Sequence, residues 1–453
     1  MPPVKFDFEC VPADVRAVAA ALGAAGGRVW LVGGPVRDRL RGEAVVDFDF
    51  ATDLPPERVA AALPGVDARD ANLGACKLAT TGLPVVVTTL RTEADYQDHR
   101  RPGVVTFVTD VVADARRRDF TVNALYAAWP DGDLLDPTGG LMDLQAGVLR
   151  MIGEPTVRFA EDALRLLRAV RFGARLTLRL HDDTAAAARS AAGLLSQLSA
   201  ERVWQELTAM FIGPGRGRAL RLLVELGFAA VLLPEVAAMD GVTQPPEYHP
   251  EGDVLTHVAM VLDHVPAGDP VLAWAAVLHD VGKPPTWRQA DDRIRFDGHD
   301  VLSATMAEAI LARLHAPQAL REAVAEICRD HIRFAAFPGM RPRRRQRWMR
   351  TPHFAQHLAF HRADCLGSHG KLGIWQQAAA EFAALPPDPG PPLLTGADVL
   401  ALGVPSGPCV GMLLRRVEVE LDGLTTVPTR DDALVLLRDL SARGDQEPGT
   451  DRR

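Results

Sequence analysis

The chain is poor in cysteine. Its five (Cys10, Cys76, Cys328, Cys365, Cys409) show neither disulfide-framework nor zinc-type spacing. That excludes a cysteine-stapled secreted scaffold and suits a reducing cytoplasm. Long apolar runs are missing too: none reaches the ~18 residues that span a bilayer. The opening residues, MPPVKFDFEC, lack the basic-then-apolar order of a secretory signal. There is no excess of positive charge, since 50 Lys and Arg stand against 58 Asp and Glu, a formal charge of −8. Bulk charge alone therefore argues against nucleic acid. No internal repeat is visible. The final RGDQEPGTDRR has no apolar content, so 441–453 is expected to be disordered.

What the chain does have is clustered arginine, at Arg116–Arg118, Arg165–Arg175 and Arg341–Arg350. A local basic surface is enough to hold a phosphate backbone. The run RPRRRQRWMR (Arg341–Arg350) fits that role or a solvated linker equally well. An apolar fraction of 47% over 453 residues supports two to four globular domains.

Residues 1–150 mix strand and helix signals. VWLVGG (Val29–Gly34), VVDFDFAT (Val45–Thr52), LPVVVTTLRT (Leu83–Thr92) and VVTFV (Val104–Val108) read as strands between turn residues. Val36–Gly42 and Pro56–Leu63 read as helices. The fold class is α+β: an N-terminal sheet backed by helices, followed from Glu154 by helical-period segments only. Gly213–Gly217 and Leu385–Pro392 punctuate the helical part. The expected divisions are 1–150, 151–215, 216–385 and 386–440.

Four motifs carry chemistry. In LVGGPVRD (Leu31–Asp38), glycines at a strand-to-helix turn let backbone approach a phosphate at a positive helix end, and Arg37 adds a fork for its oxygens. Alone, the motif fits a ligand-free connection equally well. In VVDFDFAT, strand alternation puts Asp47 and Asp49 on one face, with Val46, Phe48 and Phe50 toward a core. Two such carboxylates would repel unless a cation such as Mg²⁺ lies between them; the other reading is an acidic edge strand. RRRDFTVNAL (Arg116–Leu125) is the third motif. The fourth, RFAEDALRLLRAVRFGARL (Arg158–Leu176), reads as one helix in which Asp162, Arg165, Arg168 and Arg171 recur every third residue. That row is either functional or a solvated face of internal ion pairs.

In this order, GGPVRD, DFD, RRDFTVNAL and EDALRLLRAVRF resemble class II tRNA nucleotidyltransferases and bacterial poly(A) polymerases, over at least residues 29–210. The resemblance implies a polymerase-β-like nucleotidyltransferase head, then a helical neck, body and tail. It implies that Asp47 and Asp49 hold Mg²⁺, and that Gly34, Arg37 and Arg118 meet a triphosphate. Asp162 and Arg165 would read the base edge of incoming CTP or ATP, and Arg168 and Arg171 would support that geometry. C and A both show an amino group beside an acceptor nitrogen, a pattern U and G lack. LRTEADYQDHRRPGVVTF (Leu90–Phe107) resembles the flexible loop of complete CCA-adding enzymes, against a CC-only enzyme. Leu393–Thr426 resembles their tRNA-gripping tail, favouring tRNA as partner.

A second centre shows in the later half. His257, the adjacent His279–Asp280 in AAVLHDVGK, and Asp364 follow the H…HD…D order of the HD phosphohydrolase superfamily, which this segment resembles. His299 and His331 are further candidates. Mixed imidazole and carboxylate donors suit a transition metal such as Mn²⁺, Co²⁺ or Ni²⁺. Such a centre hydrolyses phosphoesters, or survives as a degenerate RNA-binding body. The expected function is CMP and AMP addition to tRNA 3′ ends with a second hydrolase. The alternatives are an A-adding or poly(A) enzyme with a structural HD domain, and an HD nucleotide hydrolase with a sensory first half.

Overall fold

The computed structural model describes residues 5–45, 47–80, 82–97, 101–386, 393–421 and 428–442. Expectations for Val46, for 443–453, for 98–100 of the charged loop and for 422–426 of the tail lie outside these. The chain forms two compact units: Met1–His331 with Arg362–Gly370, and Ile332–His361 with Lys371–Arg453. No helix among the described residues is long and apolar enough to cross a membrane.

In the first unit, after the helix Ala13–Ala24, come strands β1 (Val29–Val32), β2 (Phe48–Thr52), β3 (Ala75–Ala79), β4 (Pro84–Thr89), β5 (Arg91–Gln97), β6 (Arg101–Phe107), β7 (Tyr126–Ala128) and β8 (Leu134–Leu135), with helices between them. Six make one sheet, in the order β3-β4-β2-β1-β7-β8. Only β2 and β4 pair in parallel; the other neighbours are antiparallel. Alternation builds a core on each face. Val29, Leu31, Phe48 and Phe50 enter one; Trp30, Val32, Ala51 and Tyr126 enter the other. Asp49, between two core phenylalanines, thus projects on the second face.

The stretch Leu83–Thr92 is two strands, not one. It breaks at Leu90, which is fully buried and whose N–H bonds Thr52 O. Beyond it, β5 pairs with β6 as a separate antiparallel hairpin, so most of the charged loop Leu90–Phe107 is β-ribbon. β3 and β7 carried no clear alternating signal.

After the sheet the described residues are helical apart from two short strand pairs: β9 (Val148–Leu149) with β10 (Arg179–Leu180), and β11 (Arg288–Gln289) with β12 (Ile294–Arg295). The expected single helix Arg158–Leu176 is also two, Pro155–Glu161 and Leu164–Arg175. Asp162 breaks it: its backbone is extended (φ −142°, ψ 100°) and its carboxylate accepts from Leu164 N at 3.1 Å. An Asp two residues ahead of a free N–H caps the following helix rather than continuing the preceding one.

In the second unit, Arg341–Arg350 is no linker. It forms the helix Pro342–Met349, whose Trp348 and Met349 are buried with Phe334, Phe337 and Phe354. Arg345 bonds Glu381 at 2.7 Å and Arg333 covers the Trp348 ring at 4.3 Å. A separate core around Val399, Val417 and Leu437 joins the helices Gly396–Leu400, Pro408–Leu421 and Arg430–Ala442.

Candidate functional site

The first site is a cleft of about 400 Å³ at the end of β1 and β2. Gly33, Gly34, Arg37, Asp47, Asp49, Arg118, Asp162, Arg165 and Arg168 all border it. These come from four distant motifs that the fold brings together. Arg171 does not border it. Its guanidinium pairs with Glu206 at 2.8 Å and lies over Phe172 at 4.6 Å, because a three-residue repeat winds around a 3.6-residue helix.

Gly33 makes the turn. Its φ of 75° and ψ of −123° suit a residue without Cβ, and a Cβ there would stand 3.3 Å from the Asn123 carbonyl oxygen. Gly34 then opens the helix Gly34–Leu40, with proline in its first turn. Gly33→Ala should destabilise the protein by about 1–3 kcal/mol. A urea titration checks this, and a midpoint indistinguishable from wild type would count against the strained turn.

Asp47 is exposed just before β2, and Asp49 is half-buried within it. Burial and the Asp47 carboxylate raise the pKa of Asp49, while Arg118 and Arg168 oppose them. An acid disfavoured as an anion beside a second carboxylate makes a fit donor set for a hard divalent cation.

The surrounding cations are held in place. Arg37 is 1% exposed; it pairs with Asp38 at 2.6 Å and donates to Asn123 Oδ1. It therefore borders the cleft as a fixed support rather than a reaching fork. Arg118 donates to Tyr126 Oη at 2.8 Å and Asp114 at 3.2 Å. Arg168 grips Asp119 Oδ2 through two nitrogens at 2.6 and 2.8 Å. Burial pushes Asp119 up, but Arg168, Asn123 and the Phe120 N–H hold it at about 2. Asp119 and Asp114 escaped the sequence reading. Asp119 was visible inside RRDFT, but only its partner 49 residues on gives it a role.

Across the cleft, burial raises Asp162, with Arg165 opposing. Arg165 bonds Glu161 and the Arg158 carbonyl, both at 2.8 Å. A carboxylate and an oriented guanidinium side by side present an acceptor and a donor to a planar base edge.

The second site lies among the later helices of the same unit. The helix Pro270–Leu278 is buried over nearly its whole length and delivers His279 and Asp280 at its end, each 1% exposed. His257 comes from the helix Val254–His264 and Asp364 from Phe354–Leu366. His257 Nε2 lies 3.2 Å from His279 Nε2, 3.2 Å from Asp364 Oδ1 and 3.6 Å from Asp280 Oδ2. All four expected ligands are thus gathered, and His299 and His331 join them, 3.6 and 3.7 Å from Asp280 Oδ1. Burial works against a charge on His257, but Asp364 and Glu251 raise it to about 9. Burial and the neighbouring His279 lower His331 to about 4. Neither buried Asp280 oxygen has a directed hydrogen bond; Lys283 Nζ offers an ion pair at 2.7 Å. Buried carboxylate oxygens left so, among converging imidazoles, fit a metal. Glu251, 2.8 Å from His257 Nδ1, and Lys283 had no sequence signal beyond proximity to the motif.

Comparison with known proteins finds matches over both segments. Residues 29–150 match the Poly A polymerase head domain, 177–239 the probable RNA and SrmB-binding site of polymerase A, and 253–350 the HD domain. Asp364 lies beyond the last match. Heads and HD domains of these kinds work with divalent metal ions. The A-adding tRNA nucleotidyltransferase of Deinococcus radiodurans is 35% identical over 89% of this chain and 93% of its own length. The multifunctional CCA protein of Aromatoleum aromaticum is 37% identical over 67% of this chain and 74% of its own. The CCA-adding enzyme of Geobacillus sp. is 41% identical over 45% of this chain, and the match spans half of that enzyme's length. The crystal structure of the Bacillus stearothermophilus CCA-adding enzyme in complex with CTP superposes with a TM-score of 0.70 at 25% identity, over 98% of both chains. The chain belongs to the class II tRNA nucleotidyltransferase and poly(A) polymerase family, with an HD domain in its second half.

Proposed function

We propose that the chain adds CMP and AMP to the 3′ end of tRNA from CTP and ATP, and that its HD half is a separate phosphohydrolase. One observation carries the first activity: a close carboxylate pair, Asp47 and Asp49, in a cleft walled by arginines and faced by Asp162 and Arg165. A divalent ion at the pair, which we take to be Mg²⁺, supplies charge that activates a hydroxyl and offsets the triphosphate. The chain does the rest. Arg118 and Arg168, oriented by Asp114 and Asp119, face the phosphates. Gly34 lets backbone approach them. Asp162 accepts from the exocyclic amine and Arg165 donates to the ring acceptor. The division into head, neck, body and tail, and a cytoplasmic location, belong to the same proposal.

The test uses tRNA ending at the discriminator base, at C or at CC, with each labelled nucleotide in turn. Stepwise C, C and A addition is expected; no addition from any end would sink the reading. A second reading, A addition alone, is favoured by the Deinococcus relative, whose match runs through 89% of this chain. It predicts AMP transfer to the CC end and nothing at the others.

Base choice gives a sharper expectation. Asp162→Ala or Arg165→Ala should narrow the preference for CTP and ATP over UTP and GTP by about 1–3 kcal/mol, roughly ten- to a hundredfold. Competition between labelled nucleotides measures it. Wild-type discrimination in both variants would place selection elsewhere.

A further inference from the structure

Arg158 does not border the nucleotide cleft, yet two of the cleft's walls are tied to it. It lies in the helix Pro155–Glu161, and its side chain is 11% exposed. One terminal nitrogen, Nη2, donates to two consecutive carbonyls, Arg117 O at 2.6 Å and Arg118 O at 2.9 Å. The other, Nη1, donates to Glu161 Oε2.

The first contact completes a helix end. The helix Val111–Arg117 stops there, and Arg118, its C-cap, has an extended backbone (φ −66°, ψ 168°). Carbonyls at a helix end lack partners within the helix and carry the negative end of its dipole. A guanidinium from 40 residues away supplies both the hydrogen bonds and the charge. Arg118 is itself a cation of the cleft, and the next residue, Asp119, orients Arg168.

The second contact reaches the opposite wall. The Glu161 oxygen that accepts from Arg158 also accepts from Arg165 Nη1 at 2.8 Å. Arg165 Nη1 donates to the Arg158 carbonyl as well, at 2.8 Å, and the Asp162 N–H bonds that carbonyl at 3.3 Å. These bonds matter because the helix is interrupted at Asp162. Arg165 stands in the first turn of a new helix, Leu164–Arg175, so no continuous helical ladder fixes it to the preceding one. A planar fork can hold the two carbonyls with one nitrogen and the carboxylate with the other; a lysine ammonium, a single point, cannot span both.

We propose that Arg158 is a positioning residue for nucleotide selection. It caps the helix that leads into Arg118 and holds the Glu161 that aims Arg165, so the phosphate-facing wall and the base-reading pair keep one fixed spacing. Without it, the base-reading groups shift relative to a triphosphate that is still held. Nucleotides that match Asp162 and Arg165 then lose most, and mismatched ones lose little. The inference rests on the base-reading role proposed for Asp162 and Arg165.

The test measures kcat/KM for each labelled nucleotide at tRNA ends, using the full chain. Wild type is compared with Arg158→Gln, Arg158→Lys, Arg165→Ala and the double variant Arg158→Gln, Arg165→Ala. The readout is the ratio of ATP and CTP to GTP and UTP, from which any unfolded fraction cancels; a thermal melt follows the fold. Arg158→Gln should narrow the ratio by about three- to tenfold. Arg158→Lys, which keeps the charge and part of the contact, should fall between Arg158→Gln and wild type. With Arg165 already alanine, Arg158→Gln should narrow the ratio no further, because the two act as one unit. An unchanged ratio in Arg158→Gln, with every nucleotide slowed alike, overturns the proposal and leaves Arg158 a structural cap. If Arg158→Gln does not fold, Arg158→Lys decides alone, and a wild-type ratio there overturns the proposal. The same narrowing in the double variant as in the single overturns the route through Arg165. Wild-type discrimination in Arg165→Ala instead overturns the base-reading role on which the inference stands.

Discussion

Asp49→Ala, and separately Asp47→Ala, should lower CMP and AMP incorporation by about a thousandfold or more. Several kcal/mol of charge stabilisation goes with a divalent ion at a reacting phosphate, and about 4 kcal/mol corresponds to three powers of ten. The fold should survive. Asp47 is exposed and Asp49 projects away from the core that takes Phe48 and Phe50. Asp49 is moreover disfavoured as an anion by burial and by Asp47, so in the metal-free protein its loss costs little. Single-turnover incorporation at saturating Mg²⁺ reads the chemical step, and a thermal melt reads the fold. Incorporation within tenfold of wild type by either variant, at an unchanged melt, would remove the carboxylate pair from the chemistry.

The pair was legible because its signal is local: two acids at strand spacing between core residues, a dozen residues after a glycine turn. The sheet was legible where strands alternate, as in β1, and obscure where they are short or broken, as in β7 or at Leu90. Other features depend on partners far along the chain. Arg168 gains its orientation from Asp119, and Arg37 is buried by Asp38 and Asn123. Arg171 shares the three-residue spacing of its neighbours yet turns to Glu206, because spacing does not say which helix will cover which side. The break at Asp162 follows from a cap that competes with the helix by a fraction of its stability. In the HD half the motif singled out four candidate ligands, and the fold brings them together. His299 and His331 were further candidates outside the motif, since two helix ends must pack before either reaches Asp280.

His279→Ala separates the two halves. His279 sits 3.2 Å from both His257 Nε2 and Asp280 Oδ2, so its removal takes a donor from the centre of the HD ligand set. Hydrolysis of a 2′,3′-cyclic phosphate or a 2′-nucleotide should fall by about a thousandfold or more. None of the residues bordering the nucleotide cleft belongs to the HD cluster. Nucleotide addition should therefore stay within about tenfold, as for sites that share no partner. The donor chemistry predicts a second separation. Asp47 and Asp49 are hard oxygen donors suited to Mg²⁺, whereas imidazoles favour Mn²⁺, Co²⁺ or Ni²⁺. After chelation, one of those ions should restore hydrolysis better than Mg²⁺, while Mg²⁺ alone should restore addition. Both activities are assayed on stripped wild type and on His279→Ala, adding ions singly. If wild type hydrolyses neither substrate with any ion, the HD half is structural; if His279→Ala loses both activities in a folded chain, the two centres are one machine.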